Sequence, residues 1–139
     1  MSMKSWTENG YGYCIEGADL HKTVNFIIQH TNYDEDAVKE LKEVNDFEEV
    51  RDITDEPVCN ILADIINELE DFGNMAGFDC DGDTDQPMML GIEPAMPWFF
   101  KKNAKSIISQ EQADAILNKY AETLGITEEP DYFEAEYFG

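Results

Sequence analysis

Basic residues are scarce in this sequence. There are 9 Lys and Arg against 31 Asp and Glu, which leaves a formal net charge of -22. Neutralising phosphates takes clustered Lys and Arg, so direct binding of nucleic acid through a basic face is excluded. Docking on an anionic membrane is excluded for the same reason. Long apolar runs are also missing. None approaches the roughly 20 residues of a spanning helix, and the opening MSMKSWTENG carries no apolar signal-peptide core. The expectation is a cytoplasmic protein. Cysteine is limited to Cys14, Cys59 and Cys80, an odd and widely spaced set that does not make a disulfide framework. Histidine is limited to His21 and His30, nine residues apart and so not an i,i+4 metal pair. Gly10-Tyr11-Gly12 has no third glycine in register, so no dinucleotide-binding loop is expected.

What remains is enough for a folded core. Of 139 residues, 42% are hydrophobic and 12% aromatic, unlike an acidic disordered tail. The length fits one domain over 1–139. Asn9-Gly10 reads as a turn leading into a short strand through Tyr13, Cys14 and Ile15. Asp19 can cap a helix over 20–30. A second helix is expected over 34–45, with acids 34, 35 and 36 in its favourable first turn. Residues 46–53 are ambiguous.

The firmest helix spans 55–72. Thr54 or Asp55 would cap it, Pro57 would sit in its first turn, and Gly73 would end it. Val58, Ile61, Leu62, Ile65, Ile66, Leu69 and Phe72 recur at three- and four-residue spacing. Residues 76–92 have the pattern of a β-hairpin around a polar turn. Ser109 and Gln112 form a capping box for a last helix that Gly125 ends. Phe133, Ala135 and Tyr137 alternate with Glu134 and Glu136, the pattern of a strand with one buried face. The sum is an α+β fold, with about four helices on one face of a small, mainly antiparallel sheet.

Charge is distributed unevenly. Between Asp52 and Phe100 lie Asp52, Asp55, Glu56, Asp64, Glu68, Glu70, Asp71, Asp79, Asp81, Asp83, Asp85 and Glu93, with no Lys or Arg. From Tyr120 onward Glu122, Glu128, Glu129, Asp131, Glu134 and Glu136 are again without a base. On the 55–72 helix, Asp64, Glu68 and Asp71 fall opposite the apolar stripe, about 5–6 Å apart along the axis. Ordered carboxylates of this kind present a potential like a nucleic-acid backbone and attract a basic groove at high rate. The same charge also fits a surface that only keeps the protein soluble.

Asp79, Asp81, Asp83 and Asp85 alternate around Gly82. Oxygen ligands of this type suit Ca²⁺. Counted from Asp79, however, the positions that need Gly and Glu hold Thr84 and Leu90, so the EF-hand pattern fails and no metal or other cofactor is expected. Trp98-Phe99-Phe100 follows two prolines. Trp98 is a candidate interface anchor, while core closure under the last helix is the favoured reading of the aromatic run.

Three stretches, Trp6-Thr7-Glu8-Asn9-Gly10-Tyr11-Gly12, Pro97-Trp98 and Glu136-Tyr137-Phe138-Gly139, together resemble a group of small acidic proteins carried by prophages and mobile elements of Gram-positive bacteria. The resemblance brings no catalytic residue. It implies a setting in which such proteins inhibit host defence, restriction or CRISPR nucleases included.

The expectation is therefore a non-enzymatic interaction protein that mimics nucleic acid and inhibits a basic DNA- or RNA-binding partner. Partner-binding candidates are Asp64, Glu68, Asp71, Asp79, Asp81, Asp83, Asp85 and Trp98. A metal- or small-molecule-binding module centred on 79–85 is the alternative. An enzyme built on a cysteine or a carboxylate pair is a third reading.

Overall fold

The computed structural model describes residues 5–71, 73–79, 87–93 and 109–138. The chain runs β1 (Ser5–Cys14), α1 (Leu20–Gln29), α2 (Glu35–Leu41), α3 (Phe47–Thr54), α4 (Val58–Glu70), β2 (Met75–Phe78), β3 (Met89–Ile92), α5 (Gln110–Leu124) and β4 (Asp131–Phe138). The strands form one antiparallel sheet in the order β2-β3-β1-β4. The fold is thus α+β, with five helices among the described residues where four were expected.

The fifth helix is α3. The Asp46 carboxylate accepts from the Glu49 N–H at 2.9 Å, and Glu49 reaches back to the Asn45 N–H at 2.7 Å. The first bond satisfies one of the amide donors that a helix start leaves open, and the second ties the residue before the cap to the first turn. Asn45-Asp46 therefore opens a helix, and α2 stops at Leu41 instead of running to 45.

Hydrogen bonds to side chains also open α1, α2 and α5. Asp19 accepts from the Lys22 N–H, Asp34 from the Ala37 N–H, and Ser109 with Gln112 makes the full capping box. Gly125, at φ 73°, closes α5. The Asp19 N–H donates to the Leu124 carbonyl at 2.9 Å, so the start of α1 is clasped to the end of α5.

Helix α4 is shorter than the 55–72 expectation. Asp55 is the left-handed residue that ends α3, its N–H donating to the Arg51 carbonyl at 2.7 Å. It cannot also start the next helix. Pro57 stands at the cap position with no side-chain bond, and Asp71, not Gly73, turns left-handed at the end. Val58, Ile61, Leu62, Ile65 and Ile66 are buried as the stripe requires, but Leu69 is 46% exposed. The stripe outruns the core by one turn.

The main core joins α4 and the other helices to Tyr13, Ile15, Met75, Leu90 and Ile92 of the sheet region. The Tyr13 hydroxyl, fully buried, donates to the Leu117 carbonyl of α5 at 2.8 Å. A second, small cluster holds Phe78 and Ala135 with Ala76, Met89 and Phe133.

Strand β1 runs unbroken through Asn9-Gly10, where a turn was expected. The glycines serve close packing instead. A Cβ on Gly10 would lie 2.5 Å from the Phe133 ring, and one on Gly12 would lie 2.0 Å from the Leu90 carbonyl oxygen.

Candidate acidic interaction surface

The spacing of α4 sorts its acids cleanly. Asp64 and Glu68 lie in the helix, Asp71 at its C-cap, and all three are exposed while the opposite stripe is buried from Val58 to Ile66. Glu70, one position from this row, behaves differently. It takes Lys119 Nζ at 3.3 Å and the Tyr120 hydroxyl at 3.2 Å, with the lysine 5.2 Å from the Tyr120 ring centroid. Glu70 thus ties α4 to α5.

Asp79 lies just past β2 and is drawn to α3. Its carboxylate meets the Arg51 guanidinium at 2.9 Å. Beside this pair is an open cavity of about 560 Å³, bounded by Arg51, Asp79, Glu16, Asp46, Glu48 and Asp52 among others. Five acidic residues and one arginine are among its lining residues. The sequence reading missed Glu16, Asp46 and Glu48 as members of one site. They come from just past β1 and from the cap and first turn of α3, and only the tertiary fold joins them to Asp79.

Asp81, Asp83, Asp85 and Trp98 lie outside the described residues. The structure therefore places Asp64 and Glu68 on one helix, Asp71 at its C-cap and Asp79 against Arg51. Among the described residues, no three or more His, Cys, Asp or Glu side chains are arranged to hold a metal ion.

Cys80 lies outside the described residues, and the two described thiols are wholly or partly shielded. Cys59 is fully buried, and burial, followed by the nearby Asp79 charge, pushes its thiol up to about 12. Burial also raises the half-buried Cys14. A nucleophilic cysteine needs the opposite shift. His21 and His30 are exposed, His30 resting its ring 4.8 Å from that of Phe26.

A second surface lies at the other end of the sheet. Tyr132 of β4 is 66% exposed and sits 4.8 Å, ring to ring, from Tyr11 of β1. Asp114 of α5 accepts from the Tyr11 hydroxyl at 2.5 Å, and that bond is the main cause of the raised Tyr11 pKa. Asn9, Tyr132, Phe133 and Glu134 border a recess of about 590 Å³.

No helix among the described residues is long and apolar enough to cross a membrane. The chain matches no protein-family model, no curated protein and no solved structure.

Proposed function

We propose that this chain is an acidic, non-enzymatic interaction protein that occupies the basic groove of a nucleic-acid-binding partner. The observation that carries the reading is the exposed acids Asp64 and Glu68 on α4 with Asp71 at its C-cap, inside a stretch from Asp52 to Phe100 that contains no Lys or Arg. A helix fixes those charges relative to one another, which a disordered acidic tail does not. The acidic cavity beside Arg51 and Asp79 extends the negative field to another part of the molecule. A basic groove approaching this field is steered at long range and associates fast at low salt. The partner class we propose, a defence nuclease, is taken from the resemblance to prophage-borne acidic proteins.

Affinity capture from a bacterial lysate at low and high salt tests the proposal. The expected result is a basic nucleic-acid-binding protein, retained at low salt, released at high salt and displaced by its own nucleic acid. Capture of no basic protein would refute it.

A further inference from the structure

We propose that the outer edge of β4 adds an extended, Lys- or Arg-bearing peptide strand from the partner. The inference rests on the basic-partner reading and gives it a second point of attachment.

Among the described residues β4 is an outer strand, paired with β1 alone from Asp131 to Phe138. Such an edge presents a row of backbone donors and acceptors that template another strand. The Tyr132 N–H donates to the Asp131 carboxylate at 2.8 Å instead of to β1. Strand alternation then turns the Glu134 N–H and carbonyl to the same, open side.

The chemistry beside that edge selects the occupant. Asp131 and Glu134 are exposed, and no Lys or Arg follows Tyr120. The Tyr11–Tyr132 pair offers ring faces to a cation, and the recess by Asn9 and Glu134 has room for a long side chain. A second copy of this chain is a poor fit. Each copy carries a net charge of -22, and like charges on facing strands repel.

Two synthetic peptides separate pairing from charge. One alternates lysine and valine over the length of β4. The other has the same sequence with every second backbone amide methylated, which keeps the charge and removes ladder donors. We expect the methylated peptide to bind about tenfold more weakly, the equivalent of one or two lost hydrogen bonds. Bound unmethylated peptide should shift the backbone amide resonances of Tyr132 and Glu134. In Glu134→Gln both affinities should fall, with the ratio between the peptides kept.

Equal binding of the two peptides, shifts centred on α4, or no binding of either would overturn the edge site. Those results leave the basic-partner reading standing if lysate capture still returns a basic protein. A preserved tenfold ratio with no basic protein captured would uphold the edge site and sink the broader reading.

Discussion

Replacing Gly12 with alanine should cost far more than one methyl group suggests. Gly12 sits between two strands, opposite Gly91 of β3 and Asp131 of β4. A Cβ there would lie 2.0 Å from the Leu90 carbonyl oxygen and 2.5 Å from the Gly91 Cα. Both obstacles are backbone, so no rotamer change relieves the overlap. Either β1 and β3 separate or β1 bends. Overpacking costs about 1–3 kcal/mol, and each ladder hydrogen bond weakened by separation adds about 1 kcal/mol. The expected loss is therefore about 2–4 kcal/mol. Urea unfolding followed by circular dichroism measures it. Gly17→Ala is the matched control, since nothing lies within 4 Å of its Cβ position. If Gly12→Ala unfolds at the same midpoint as Gly17→Ala, the close strand crossing described here is wrong.

Other perturbations read the core and its ionisable groups. Ile65→Ala, at a buried position on α4, should lose about 2–5 kcal/mol by urea unfolding, whereas Leu69→Ala, half exposed, should lose under about 1 kcal/mol; equal losses would contradict the assigned stripe. Burial first, then Glu70, pushes the Tyr120 phenol up to about 12, from an ordinary value near 10. The fold favours the neutral phenol, so this contribution is complete below about pH 10 and is lost as pH climbs toward about 12. Tyr120→Phe should flatten that part of a stability–pH curve, though not abolish it, because burial also raises Tyr13. Iodoacetamide at mildly alkaline pH should leave Cys59 unmodified in the native protein and label it in urea, as peptide mass mapping would show; rapid native labelling would contradict its burial.

Parts of the fold were legible because their signals are local. The Ser109–Gln112 capping box and Gly125 bracket α5 as expected, and the apolar spacing marked α4. Helix α3 also carried a local signal, Asp46 followed by Glu49, but its short length and single buried residue, Val50, hid any periodicity. The glycines of β1 could not be understood locally. Asn9-Gly10 has the composition of a turn, and what holds it extended is pairing with Glu134 and Phe133, far away in the chain. The acidic face of α4 followed from helical spacing alone. The cavity beside Arg51 did not, because the Arg51–Asp79 pair bridges α3 and the end of β2, and sequence order says nothing of that meeting. Exposure of Tyr132 was similarly hidden, since strand alternation names a face but not what covers it.

The most direct test of the central claim is the association rate with the captured basic partner when the acids are neutralised together. Asp64→Asn or Glu68→Gln alone should weaken binding only modestly, because no single exposed charge dominates such a surface. The combined variant, with Asp71, Asp81 and Asp83 also converted to asparagine, should associate much more slowly at low salt while keeping its circular dichroism spectrum. The gap between it and the unmodified protein should close as the screening length falls from about 10 Å at 0.1 M salt to about 3 Å at 1 M. An unchanged association rate at low salt would contradict the account and leave the charge as a solubilising surface.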